Sequence, residues 1–480
     1  MRRRPRPGSV LTLVAVALGV PTAAGGPLAH YWGDHFGNES VLLGGAVIGS
    51  VTDAAALFYN PARLPHEEDP SFVASARVYQ WTSVRVRDGL GLGRDLRQTS
   101  FGGAPGFLVG TFSLSILANH QFAFGILTRH RAEMGFQLRD ERSGDLFASL
   151  PGEEDFIGVV DLQTRYKDDW AGLGWAYELS DHLSVGATAF WYDRSFRRTA
   201  LLDLVAVNQT REVEALEIER SYSVGDKGLV AKAGIAWRNA SWSMGLTTTL
   251  PYWPLSRSGS IRYQNLAIGL VDTAGGPVDN IVESTVQRNR PTRWKTPWAV
   301  GTGVGWSSGP WQLHVSAEYF AGVPGHILLQ SDSTVVGQST GAPIRYTVTE
   351  ERDAVINGGI GVRWNASEHV SVFASAVTNR SAATGDVIDF TELQPVVSHT
   401  SQQMDFVLLG GGLSVRTPWA DLAMGATWQG SSEPTPRVLS FPSAEPADGP
   451  ATLAVDEWRL LLGFSVPLLD ERLGDLVGRE

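Results

Sequence analysis

The sequence contains no cysteine in its 480 residues. The chain therefore forms no disulfide bond and offers no thiolate for metal binding or nucleophilic catalysis. It also lacks an uninterrupted apolar segment of ~20 residues, which excludes a membrane protein built from spanning helices. Basic residues are few, since 39 Lys and Arg stand against 50 Asp and Glu, and the formal net charge is −11. So acidic a chain is not expected to bind nucleic acid.

The N-terminus has the three parts of a secretory signal peptide. Four arginines within residues 2–6 are followed by the apolar run 10–20 and by the small residues 22–25. We expect residues 1–24 to be a signal peptide that is cleaved near Ala24. Loss of its four Arg would change the formal net charge from −11 to −15.

Short stretches of the sequence alternate between apolar and polar residues. In one of them the apolar parity holds Trp311, Leu313, Val315, Ala317 and Tyr319, and the polar parity holds Gln312, His314, Ser316 and Glu318. Successive side chains of a strand point to opposite faces, so this pattern predicts a strand with one apolar and one polar face. Residues 183–191, 242–246, 298–306 and 458–466 show the same division.

Aromatic residues lie where the apolar parity meets a turn. They are Trp175, Tyr177, Trp237, Trp242, Trp306, Trp311, Trp364, Trp419 and Trp428. A soluble β-sandwich also alternates, because one sheet face packs on a core and the other meets water. Aromatic girdles at the rims of an apolar band are typical of barrels in lipid, and they favour a transmembrane β-barrel.

The spacing of connections predicts the number of strands. Six short connections, at residues 119–121, 179–182, 238–241, 307–310, 365–369 and 416–420, alternate with seven long ones, at about 82–106, 133–164, 196–217, 251–295, 321–352, 380–402 and 430–455. The prediction is an all-β fold, a 14-stranded antiparallel transmembrane β-barrel over residues 71–466, with a periplasmic tail at 467–480. Short turns face the periplasm in such barrels, so both chain ends are expected there.

A barrel of this size encloses more space than its wall side chains can fill. Residues 25–70 precede the first strand, and the run 41–57 is rich in Gly and Ala. We predict that this segment is a hatch inside the lumen. The alternative is a disordered periplasmic tail, which the apolar residues Leu42, Leu43, Val47, Ile48 and Leu57 argue against.

The hatch sequence LLGGAVIGSVTDAAALFYNPARL, residues 42–64, resembles the N-terminal hatch of FadL-type outer-membrane transporters. Most of the likeness lies in residues 53–64, and the order of parts agrees over nearly the whole chain. Arg63 stands where that family commonly has Gly, and the last predicted strand is followed by PLLDERLGDLVGRE instead of ending on an aromatic residue. The Asn-Pro-Ala motif also occurs in related barrels that act as protein shuttles in secretion.

The resemblance implies passive uptake of long-chain fatty acids or hydrocarbons across the outer membrane of a Gram-negative-type bacterium. It implies that hatch residues Asp53, Asn60, Pro61 and Ala62 form a gate. It also implies that the N-terminal residues Leu28, Tyr31, Trp32 and Phe36 line a ligand pocket. By strand parity Lys232, Arg363 and Arg459 face the lumen, where each meets a ligand carboxylate or pairs with an acid of the lumen or hatch.

Two apolar loop segments, at 200–207 and 265–271, allow two interpretations. An exposed apolar patch would mark a binding surface. Alternatively, residues 201–218 extend a hairpin beyond the membrane around a turn at Asn208.

Other partners and functions follow from the outer-membrane prediction. We expect contact with outer-membrane lipid and lipopolysaccharide, insertion by the barrel assembly machinery, and a monomer without cofactor or metal. A secretion shuttle and a general porin remain alternatives. An enzyme is not expected, because Ser316 and His314 share a strand ~7 Å apart and no oxyanion site is evident.

Overall fold

The computed structural model describes residues 29–67, 72–87, 95–114, 116–117, 119–147, 149–271, 276–277, 279–335, 343–384, 396–398, 404–417, 420–435 and 451–466. The predicted signal peptide, Leu28 and the predicted tail at 467–480 lie outside these residues. No helix in the described ranges is long and apolar enough to cross a membrane.

The strands are β1 (Phe72–Arg87), β2 (Leu96–Ser113), β3 (His120–Gly144), β4 (Glu154–Ser180), β5 (Leu183–Asn208), β6 (Val213–Arg238), β7 (Trp242–Thr249), β8 (Trp253–Ile268), β9 (Ile281–Arg290), β10 (Ala299–Ser308), β11 (Trp311–Phe320), β12 (Val323–Gln330), β13 (Thr334–Val335), β14 (Pro343–Ile344), β15 (Thr347–Arg352), β16 (Val355–Asn365), β17 (Val370–Asn379), β18 (Val396–Ser398), β19 (Phe406–Arg416), β20 (Asp421–Thr435) and β21 (Ala451–Val466). The hatch contains helix α1 (Ala56–Tyr59) and a 3-10 turn (Pro61–His66).

Fourteen of these strands close an antiparallel barrel, as the sequence predicts. In order around the wall they are β1 to β7, β10, β11, β16, β17, β19, β20 and β21, and β21 pairs with β1. The N-terminal part of β6, residues 215–229, pairs with β8 instead of β7, and β8 pairs with β9. Strands β3 to β6 therefore extend well beyond the membrane-spanning part of the wall.

The exposure of the wall side chains follows the predicted parity. On β11 the outward Val315 is 45% exposed, whereas the inward Ser316 is 3% exposed. Trp175, Trp237, Trp242 and Trp311 all lie outward near the short turns. The apolar outer band with aromatic rims is what a bilayer requires, and antiparallel pairing around the barrel satisfies backbone groups that would otherwise face lipid.

Several predicted long loops are wrong in their bounds, because most of 133–164 and of 196–217 is strand. Strand β5 continues to Asn208 and β6 begins at Val213, so residues 200–207 extend a hairpin instead of forming an exposed patch. Leu202 and Leu204 are buried on the inner face of that hairpin. Above the apolar band the alternation continues, and the outward positions of β5 are the half-buried Leu201, Asp203, Val205 and Val207, a mixture that the sequence pattern does not separate from an apolar loop.

The half of the barrel on the side of the long connections is filled by its own hydrophobic core. Leu202 and Leu204 pack there with Leu216 and Ile218 of β6, with Leu453 of β21, and with side chains of β12 and β15. The hatch fills the other half of the lumen. Both mouths are therefore closed by packed protein.

Candidate functional site: hatch, lumen cavity and wall opening

The hatch meets the wall at a corner formed by Asn60 and the two residues after it. Asn60 is fully buried, and its side-chain Nδ2 donates to the carbonyl oxygens of Ile48 (2.9 Å) and Ile235 (3.3 Å). Its Oδ1 accepts from the amide of Ala62 (3.1 Å) at the start of the 3-10 turn. Pro61 occupies the first position of that turn, where a missing N–H leaves nothing unpaired. One asparagine thus links two hatch segments to strand β6.

Three glycines of the wall make room for this corner. A Cβ at Gly186 would lie 2.5 Å from the carbonyl carbon of Pro61, and one at Gly245 would lie 2.5 Å from Asn60 Nδ2. A Cβ at Gly234 would lie closer still to the Asn60 side chain. Real Cβ atoms do not approach neighbours this closely, so the wall glycines let hatch and barrel backbones touch.

Asp53 closes the hatch on itself. Its Oδ2 accepts from the backbone amides of Asn38 (3.0 Å), Glu39 (3.1 Å) and Ser40 (3.1 Å). Its Oδ1 accepts from the Ser40 hydroxyl (2.9 Å) and from the Ala55 amide (3.1 Å). The carboxylate therefore holds the first hatch loop beside α1.

The N-terminal segment of the hatch crosses the lumen and is fixed by aromatic residues. Tyr31 stacks on Phe320, with 4.4 Å between ring centroids. The indole N–H of Trp32 donates to Glu318 Oε2 (2.8 Å). Phe36 packs edge to face on the α1 residue Phe58, at 4.8 Å between centroids.

The three cations predicted to face the lumen have different surroundings. Arg363 pairs with the hatch carboxylate of Glu39 (2.7 Å), and Arg459 pairs with Asp34 (3.3 Å) and Glu457. Both arginines therefore hold the hatch. Lys232 is 7% exposed, its Nζ lies 4.9 Å from the ring centroid of Phe58, and within the described ranges it has no ion pair. Among the three cations, the structure leaves Lys232 available to a ligand.

A small cavity of about 70 Å³ lies between the hatch and the outer half of the lumen. Its lining combines cations, carboxylates and aromatic rings: Tyr31, Phe58, Arg129, Tyr166, Asp168, Trp170, Arg194, Lys232, Tyr252, Glu318 and Phe320 are among them. Burial lowers the pKa of His30, which also lines it, to about 4, so this imidazole is neutral at pH 7.

Sequence reasoning missed several of these lining residues for identifiable reasons. Strand β3 carries a bulge between Thr128 and His130, so both Arg129 and His130 are buried on the inside. A bulge reverses the parity, and the sequence pattern alone does not locate it. Asp168 is 1% exposed inside β4 and accepts from the indole N–H of Trp170 (3.0 Å), a contact that the neighbouring charged residues of the sequence do not indicate.

A buried ion pair forms one wall of the small cavity. Arg194 pairs with Asp226 at 2.6 Å, and both side chains are almost fully buried. The Arg194 guanidinium also lies over the ring of Trp294, 4.0 Å from its centroid. Buried charges need such partners, and this set keeps the lining rigid.

The barrel wall is interrupted between β2 and β3. Their pairing runs from Ser113↔Gln121 to Phe107↔Leu127 and then stops. Beyond that point β2 stays paired with β1, and β3 with β4. The two strands separate, and in the described part of the chain one hydrogen bond, from the Gly135 amide to Gln98 Oε1 (2.9 Å), bridges them.

A cavity of about 1130 Å³ lies where the strands separate. Outward side chains line it, among them Leu108, Ile126, Trp191, Leu422, Met424 and Phe464, together with the inward side chains of Phe107, Leu127 and Trp170. Phe107 also stacks on Phe36 of the hatch (5.9 Å). Trp170 lines both cavities and lies 5.9 Å from Phe58. The larger cavity therefore connects the lipid-facing surface with the residues that surround the hatch.

No family model matches the sequence, and no curated protein matches it. Among solved structures, the fold is similar to that of the Pseudomonas putida toluene transporter TodX, with 11% identity, a TM-score of 0.55, and coverage of 91% of this chain and 99% of TodX. It is also similar to the Ralstonia pickettii toluene transporter TbuX, with 12% identity, a TM-score of 0.50, and coverage of 90% and 98%. A third similar structure is a deletion mutant of TodX, described as a monoaromatic hydrocarbon channel. It has 12% identity, a TM-score of 0.54, and coverage of 90% of this chain and 98% of the mutant. The resemblance noted in the hatch sequence is confirmed as a likeness of fold, and the chain has the barrel fold of these transporters.

Proposed function

We propose that the protein is an outer-membrane channel for passive uptake of hydrophobic compounds, namely long-chain fatty acids or hydrocarbons. The observation that carries this proposal is the apolar cavity of about 1130 Å³ at the break in the wall. A hydrophobic ligand avoids water if it leaves the lumen sideways into lipid through such an opening. A likeness to toluene transporters supports the same substrate class.

The small lumen cavity is closed in this conformation. At about 70 Å³ it is well below the ~300 Å³ of an ordinary ligand pocket. Ligand binding therefore requires the N-terminal segment with Tyr31 and Trp32, or the corner at Asn60, to move. In this proposal Asp53, Asn60, Pro61 and Ala62 keep the hatch seated until a ligand arrives.

Lys232 and Arg129 favour a ligand with a carboxylate. Their charged groups flank Phe58, at 4.9 Å and 5.2 Å from its ring centroid. Arg129 donates to the carbonyl oxygen of Tyr31, and neither cation has an ion pair with another residue of the described chain. A fatty-acid carboxylate would satisfy both, while its chain would contact Phe58 and Trp170.

Uptake into cells that lack other hydrophobe channels tests the proposal. Cells carrying the protein should take up labelled oleate faster than cells without it, and the purified barrel should show little conductance in a planar bilayer. Lys232→Met should lower uptake of oleate more than uptake of toluene. Lys227→Met is the matched control, because Lys227 is exposed and pairs with Asp193.

Three results would count against the proposal. Strong ohmic conductance would indicate a general porin. Copurification of one secreted protein with the barrel in a 1:1 molar ratio would indicate a secretion shuttle. Equal oleate uptake with and without the barrel would exclude a role in uptake.

A further inference from the structure

The outward face of β3 to β5 carries a basic cluster just beyond the lipid-facing band. We call the cluster of Arg131, Arg165, Lys167 and Arg197 the basic square. All four side chains are exposed and share the outward parity of their strands. The last outward apolar residues below them are Ile126, Ala171 and Trp191.

The register places like charges directly opposite one another. Arg131 pairs across the strands with Lys167, and Arg165 pairs with Arg197. Cross-strand partners have Cβ atoms about 5 Å apart, and like charges at that distance destabilise a sheet. Two neighbouring like-charge pairs do not stabilise the barrel, so we expect them to serve another purpose.

Neighbouring acids neutralise only half of the basic square. Arg165 pairs with Glu133 (2.7 Å), and Lys167 pairs with Asp169. Arg131 and Arg197 make no hydrogen bond or ion pair with any residue that the structure describes. Two positive charges therefore remain on a chain whose formal net charge is −11.

The height of the basic square matches the polar zone of the outer leaflet. Lys167 lies four residues beyond Ala171, and Arg197 lies six residues beyond Trp191. At ~3.3 Å per residue and a strand tilt of about 40°, this is about 10–15 Å above the apolar band. Long basic side chains bend toward the interface, which brings their charges nearer to lipid headgroups.

We infer that the basic square binds the phosphorylated headgroup of an outer-leaflet lipid, with the two phosphate groups of one lipid A between Arg131, Lys167, Arg165 and Arg197. Guanidinium groups bind phosphate oxygens through paired hydrogen bonds, which a lysine or a divalent cation bridge does not reproduce. The inference rests on the proposed outer-membrane location and orientation of the barrel, and it is independent of the transported ligand.

Lipid retention by the purified full-length barrel tests the inference. Native mass spectrometry would compare binding of lipid A that carries two phosphates with binding of the dephosphorylated lipid. In the double variant Arg131→Gln, Arg197→Gln we expect affinity for the phosphorylated lipid to fall at least tenfold. The charge-retaining variant Arg131→Lys, Arg197→Lys should retain more lipid than the Gln variant.

A second double variant, Arg139→Gln with Arg262→Gln, removes the same charge from outward positions farther from the membrane. Both of these arginines are exposed and paired, with Glu141 and Glu219. This control should bind the lipid as the unmodified protein does. Equal affinity in the Arg131/Arg197 Gln variant, an equal loss in the control, or equal binding of dephosphorylated lipid would overturn the inference, whatever the uptake assays show.

Discussion

Gly245→Ala, which adds one methyl group to the barrel wall, should displace the hatch corner at Asn60 while the strand pairing of the barrel stays intact. The new Cβ would lie 2.5 Å from Asn60 Nδ2 and 2.5 Å from the Ile48 carbonyl oxygen. Asn60 Nδ2 donates a hydrogen bond to the Ile48 carbonyl oxygen, and both residues are buried, so moving either atom aside costs free energy. Overpacking of this kind costs about 1–3 kcal/mol, and the hatch corner should bear this cost because the strand pairing of β7 is unchanged.

Hydrogen exchange at the Arg63 amide measures this cost. That amide donates to the Asn60 carbonyl oxygen at 2.9 Å. A loss of about 1–3 kcal/mol corresponds to exchange about 5- to 150-fold faster in Gly245→Ala. Gly102→Ala is the control, since a Cβ there meets nothing within 4 Å. Unchanged exchange in Gly245→Ala, or the same acceleration in Gly102→Ala, would refute the close packing of hatch on wall.

Three further predictions concern the membrane surface, the gate and the buried charges. Val315→Arg should lower the free energy of unfolding by ~2–4 kcal/mol in a reversible unfolding assay, whereas Gln163→Arg, outside the apolar band and opposite the uncharged Gly135 and Thr199, should change it by less than ~0.5 kcal/mol; equal effects would contradict the assigned band. Asn60→Ala should lower oleate uptake and leave a heat-modifiable barrel, and normal uptake at matched surface amounts would remove its proposed gating role. Arg194→Met should cost ~3–5 kcal/mol because it leaves Asp226 buried without its partner, and adding Asp226→Met should recover most of the loss of thermal stability; no recovery would mean that packing, not charge, dominates there.

The membrane-spanning wall could be predicted from sequence because its physical signal is local. The alternation of side chains, the aromatic residues at the rims and the short turns can each be recognised within a window of about ten residues. Val315 and Ser316 show how far this goes: parity assigns their faces correctly, but not what the inner side chain touches. Ser316 Oγ accepts from the Ile48 amide (3.0 Å), so an Arg there would displace the hatch instead of being tolerated in an open lumen.

The site could be predicted only in part, because its contacts join distant parts of the chain. The hatch segment and its corner at Asn60 are evident from composition and motif. The pairing of Glu39 with Arg363 spans 324 residues, and nothing in the local sequence selects that acid for that cation. The bulge that turns Arg129 inward and the separation of β2 from β3 likewise depend on neighbouring strands.

The central claim is that hydrophobic compounds leave the barrel through the cavity at the break in the wall. Gly106 on β2 lines that cavity, and a Cβ there has no neighbour closer than 3.6 Å, so Gly106→Trp would fill the opening without a backbone clash. Gly102→Trp adds the same side chain to the same strand outside the cavity. The measurement is the initial rate of oleate and toluene uptake at matched surface amounts of each variant. We expect Gly106→Trp to reduce uptake at least tenfold and Gly102→Trp to leave it unchanged; equal rates in the two variants would contradict the lateral path.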